Sequence, residues 1–95
     1  MGKVEIRSYG EFLELFGGRI TIQDLTVPCS LENGIDQLDE LVQGKLKPLI
    51  YDPAGNVDQW MRILLNGREI AFLKGDDRIL RENDIFLFIP VLGGG

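Results

Sequence analysis

The chain closes on Ile89-Pro90-Val91-Leu92-Gly93-Gly94-Gly95, and this ending holds the group best suited to chemistry in the whole sequence. A carboxylate on Gly95, preceded by Gly94, has no side chain near its carbonyl carbon. That carbon can enter a narrow channel, which a side chain on either residue would obstruct. What the residues offer is an unhindered carboxylate, which is a poor acyl donor as it stands. From Pro90 onward the six residues reach at most about 20 Å when extended. That length is enough to leave a folded body and enter a neighbour's pocket. Ordering the glycines costs roughly 1–2 kcal/mol per residue, which docking of the body has to offset.

Other reactive constellations are missing. The sequence has one cysteine and no histidine. This excludes an internal disulfide, a Cys/His zinc site, a Ser-His-Asp triad and a Cys-His dyad. Cys29 follows Pro28 just ahead of a helical pattern and reads as a small buried filler. Asp76, Asp77 and Glu82 lack the spacing of a cation loop and read as turn residues. No metal and no permanently bound cofactor is expected. A net charge of −5 disfavours nucleic acid, whose phosphates need a basic surface. No apolar run is long enough to span a bilayer, and no basic-then-apolar leader is visible, so the expected location is cytoplasmic.

The elements that must present the tail follow from periodicity. With 95 residues, 44% hydrophobic and 26% charged, the chain suits one domain and one core. Val4, Ile6 and Ser8 alternate with Glu5, Arg7 and Tyr9, as in a half-buried strand. Phe12 to Phe16 form an apolar turn ending at Gly17-Gly18. A second alternating strand follows, with Ile20 and Ile22 expected inward and pairing antiparallel to the first. From Ser30 the period becomes helical: Leu31, Ile35, Leu38 and Leu41 or Val42. Ser30 or Asn33 is the candidate N-cap, and Gly44 suits the C-terminal cap. Glu32, Asp36, Gln37, Asp39 and Glu40 make the wet face. Leu46, Leu49, Ile50 and Tyr51 anchor an irregular stretch that turns at Asp52 to Asn56. Two apolar strands flanking Asn66-Gly67 predict a type I′ hairpin, with Trp60 packed in the core or at an edge.

The last strand, Ile85 to Ile89, is apolar on both faces. Such runs mark strands covered on both sides, yet one helix covers only one face of a sheet. Either this strand lies mid-sheet, or its second face awaits a partner or a covering loop. Phe86 and Phe88, the bulkier pair, are expected inward, which turns Leu87, Ile89 and Ile85 outward beside Val91 and Leu92. A one-residue slip would reverse the faces.

The order of strand, strand, helix, hairpin, strand and a Gly-Gly carboxyl terminus resembles the MoaD/ThiS-like ubiquitin-fold sulfur carriers. It is most similar to the small subunit of molybdopterin synthase. "VEIRSYGEFLELFG", "ILLNGREI" and above all "LRENDIFLFIPVLGGG" carry the resemblance. Asn83 stands where glycine is usual, Val91 replaces a second proline, and Gly93 is an added glycine. The Leu46–Gln59 stretch is longer than in the shortest carriers. The resemblance implies an α+β fold, a β-grasp in which a mixed sheet of about four to five strands packs on one main helix. It implies a β-grasp domain over residues 1–90 and a flexible reactive tail over 91–95. Functionally it implies a non-catalytic carrier whose Gly95 carboxylate, next to Gly94, is adenylated with ATP by an E1-like, MoeB/ThiF-like enzyme. A sulfur donor then converts it to a thiocarboxylate. A large MoaE-like molybdopterin synthase subunit would receive the tail, with Leu87, Ile89, Val91, Leu92 and Gly93 as the partner-binding residues. Three alternatives stay open: a carrier for thiamine or tRNA thiolation, a Urm1-like or archaeal modifier joined to lysines, and an interaction domain with an inert tail.

Overall fold

The computed structural model describes residues 1–91. Its main sheet contains β1 (Gly2–Ser8), β2 (Ile20–Leu25), β4 (Met61–Leu65), β5 (Arg68–Glu69) and β7 (Ile85–Pro90). A two-stranded sheet pairs β3 (Cys29–Ser30) with β6 (Ile79–Leu80). The main sheet runs in the order β2-β1-β7-β4-β5. β7 is therefore central, parallel to β1 and antiparallel to β4. All other pairings are antiparallel.

One layer covers one face of this sheet. It consists of α1 (Glu11–Phe16), α2 (Leu31–Leu41) and α3 (Lys47–Ile50). Ser30 Oγ accepts the Asn33 amide at 3.0 Å, so Ser30, rather than Asn33, caps α2. Leu31, Ile35 and Leu38 are buried, and at the helix end Val42 packs inward while Leu41 is exposed. Gly44, with positive φ, donates to the Asp39 carbonyl at 2.8 Å. Asp39 does more than face water: its Oδ1 accepts the amides of Leu46 and Lys47 at 3.0 and 2.9 Å. That contact caps the start of α3; Leu46, just before it, and Ile50, its last residue, are fully buried. The Asp52 carboxylate accepts the amides of Ala54 and Asn56, which closes the expected turn. Asn66 and Gly67 both have positive φ, as a type I′ hairpin requires.

Three expectations need correction and one is narrowed. Ile20 and Ile22 point outward and are 58% and 52% exposed. The β1–β2 register sets Ile20 opposite Arg7 and Ile22 opposite Glu5, so both share the outer face. Alternation alone cannot say which face of an edge strand is the wet one. The hairpin's second strand is only Arg68–Glu69, after which Ile70–Phe72 curl into a 3-10 turn. Of the two places open to Trp60, core or edge, the core is excluded: it is 50% exposed just before β4. The stretch after Lys74 is more than a polar turn, because it contains β6 and the fully buried Leu80.

Candidate functional site at the root of the tail

β7 divides its side chains cleanly. Phe86 and Phe88 are fully buried and Phe88 is ringed by Phe12, Phe16 and Phe86, with centroids 5.5, 5.5 and 5.4 Å away. Ile85, Leu87 and Ile89 lie on the opposite face and are half-buried. Leu87 sits between Arg7 on β1 and Leu64 on β4, and Ile89 lies beside Arg62. Ile20 and Ile22 continue this face to the sheet edge through Arg7 and Glu5. Arg7 pairs with Glu5 and Arg62 with Glu69, so the cations between the aliphatic side chains are held by neighbouring carboxylates. Ile85 and Leu87, with Arg7, Tyr9, Asn66 and Gly67, line a shallow depression of about 350 Å³. A wider hollow of about 590 Å³, between α1 and the end of α2, includes none of these residues.

Two residues set where the chain leaves the sheet. Gly10 has φ +58°, and a Cβ built there would stand 2.6 Å from Pro90 Cγ. Glycine is required both for that backbone and for the approach of the proline ring. On the other side, the Val91 amide donates to the Trp60 carbonyl at 2.6 Å. The Met61–Pro90 register thus continues one step to set Trp60 opposite Val91. Trp60 is itself held in a turn, its amide donating to Asp58 Oδ1 at 2.9 Å. Tyr9 completes the rim: its amide donates to the Phe88 carbonyl at 3.1 Å and its ring carries the Arg19 guanidinium 5.4 Å from its centroid.

Of the sequence-derived site residues, Leu87, Ile89 and Val91 come together on one face beside the exit of the chain. Leu92, Gly93, Gly94 and Gly95 lie outside the described residues. Gly10, Trp60 and Leu64 were not singled out for this site from the sequence. A parity count back from Asn66 through Leu64 and Arg62 to Trp60 would have put the indole on the outer face. Cys29 is partly buried, and burial pushes its thiol above its usual range, partly countered by the Gln37 amide at 3.5 Å. That is the environment of a filler, not of an activated thiolate. Among the described residues no group of His, Cys, Asp and Glu is arranged to hold a metal ion. Among the same residues, no helix is long and apolar enough to cross a membrane.

No family model and no curated protein matches the chain. Solved structures do. SAMP1 from Haloferax volcanii superposes with a TM-score of 0.73 at 18% identity, covering 99% of this chain and 100% of that one. Urm1 from Trypanosoma brucei gives 0.73 at 22% identity, covering 99% and 96%. A putative molybdopterin converting factor subunit 1 from Pyrococcus furiosus gives 0.68 at 20% identity, covering 97% and 100%. The described residues therefore have the ubiquitin-like β-grasp fold. Its structural neighbours are ubiquitin-fold proteins of the MoaD/ThiS-like kind, archaeal modifiers and Urm1 included.

Proposed function

We propose that this chain is a sulfur carrier whose Gly95 carboxylate is the working group. The observation that carries the reading is the path of β7. The central strand of the sheet runs into Pro90 and Val91 without an intervening linker, and its apolar outer face lies beside that exit. The body can dock by that face while the glycines enter a partner's pocket. In the proposed chemistry, a carboxylate oxygen of Gly95 attacks the α-phosphate of ATP and pyrophosphate leaves. A sulfide-level donor then attacks the acyl carbon. The C–S bond forms as the C–O bond to AMP breaks, leaving a terminal thiocarboxylate. The activating enzyme would be E1-like, of the MoeB/ThiF kind. We place the carrier in molybdopterin synthesis, with a MoaE-like large subunit as the partner that consumes the sulfur.

A second reading keeps the activation and changes the acceptor to a lysine amine, making the chain a protein modifier. The end-to-end superposition on an archaeal modifier protein favours it. Intact mass separates these outcomes. The chain is incubated with ATP, an activating enzyme and sulfide. A gain equal to sulfur replacing one oxygen on the C-terminal peptide is the expected result. Unchanged mass with an enzyme that thiolates its own carrier would sink the carrier reading. Lysine-linked adducts in a cell extract would support the modifier.

A further inference from the structure

We infer that Trp60 is the anchor by which the tail-activating enzyme grips the body of this chain at the root of the tail. The inference rests on the carrier reading. In that reading, the four residues Leu92 to Gly95 are what separates Val91 from the reacting carboxylate. They reach at most about 14 Å. An enzyme that takes the Gly95 carboxylate into its nucleotide site must therefore bring its surface up to Val91. Trp60 is what it meets there: its carbonyl holds the Val91 amide at 2.6 Å, and the indole-bearing residue is 50% exposed.

Among the described residues, Trp60 is neither in the buried core nor among the side chains packed against it. β4 buries Ile63 and Leu65, and Trp60 lies outside the core. A half-exposed indole is an expensive choice for a turn, and tryptophan is the residue most enriched among side chains that dominate binding energy. Trp60 also lies in line with the outer face, since Arg62 and Leu64 continue its row toward the hairpin and Ile89 and Leu87 flank them. The partner feature that fits is an apolar socket beside the mouth of the channel that admits the glycines. By gripping Trp60, the enzyme fixes the strand pair from which the tail departs, and so shortens the search of the carboxylate for the α-phosphate. Trp60 is a positioning residue; it touches no reacting atom.

The test is ATP–pyrophosphate exchange by the E1-like adenylating enzyme, with the full chain as substrate. Trp60→Ala is expected to raise KM about tenfold with kcat within about twofold. Trp60→Phe should recover most of that loss, and Leu41→Ala, on the helical layer, should match the wild type. Thermal melting followed by circular dichroism checks that Trp60→Ala is folded. An unchanged KM for folded Trp60→Ala, with the wild-type chain active, overturns the inference and leaves the carrier reading standing. A fall in kcat alone also overturns it, because that marks a misplaced tail rather than a lost grip. If the wild-type chain supports no exchange, while the enzyme exchanges with its own carrier, both readings fail together.

Discussion

On the inner side of β7, Phe86 and Phe88 have no exposed surface; on the outer side, Ile85, Leu87 and Ile89 keep part of theirs. The two sides belong to one strand and are both apolar, yet they meet different surroundings. Inside, Phe88 touches three aromatic rings within 5.5 Å and the helical layer closes over it. Outside, the contacts are cross-strand neighbours, Leu64 and two arginines already bound to carboxylates. Hydrophobic burial stabilises in proportion to area removed from water. The inner side therefore supplies stability, and the outer side keeps part of its apolar area unburied.

The contrast breaks most severely at Phe88. Phe88→Ala removes the centre of the aromatic cluster and should cost about 3–5 kcal/mol, read as a lower midpoint in urea unfolding. A domain of this size has only about 5–15 kcal/mol in all, so this loss takes a large share of its stability. Gly10→Ala comes next. It forces a Cβ into the Pro90 ring and a side chain onto positive φ, and should cost about 1–3 kcal/mol. The amide resonance of Val91 should shift with it, since Pro90 must move.

Leu87→Ala sharpens the contrast from the outer side. Its cost in urea should stay near about 1 kcal/mol, because the side chain is only half-buried. KM in pyrophosphate exchange should rise nonetheless. A large loss of stability with unchanged KM would mean that the outer face is structural. Ser8→Ala probes the inner side in the opposite direction. Ser8 is fully buried and its Oγ has no hydrogen-bond partner, so removing the hydroxyl should stabilise by up to about 1 kcal/mol.

The smallest effect lies away from the sheet, at Glu32. Its hydrogen bond with Arg78 holds the carboxyl below the usual range. A depressed folded value means stability present above the unfolded pKa and lost as pH falls through the folded one. Because Glu32 is exposed, screening keeps the contribution below about 1 kcal/mol. Glu32→Gln should lower the urea midpoint slightly at neutral pH and match the wild type in acid.

Much of this was legible in the residues themselves. Val4, Ile6 and Ser8 declared the buried side of β1 because alternation has a period of two. Ser30 and the Leu31-Ile35-Leu38 spacing declared α2. Asn66-Gly67 declared the hairpin, because few residue pairs tolerate two positive φ values. The inward Phe86 and Phe88 followed from bulk, since the larger pair gains more from burial. The Gly94-Gly95 ending was read from the sequence as the place for the proposed chemistry, and it lies outside the described residues. Tertiary structure decided what depends on neighbours distant in sequence. Ile20 and Ile22 alternate as well as Val4 and Ile6 do, and only their register against Arg7 and Glu5 turned them outward. Leu80 lay in a polar run and became core because β6 found β3, more than forty residues earlier. Gly10 and Trp60 gained meaning only when β7 brought Pro90 and Val91 between them. A periodicity reports one chain's own faces, and it takes pairing between distant strands to determine which face meets water and which residues stand beside the tail.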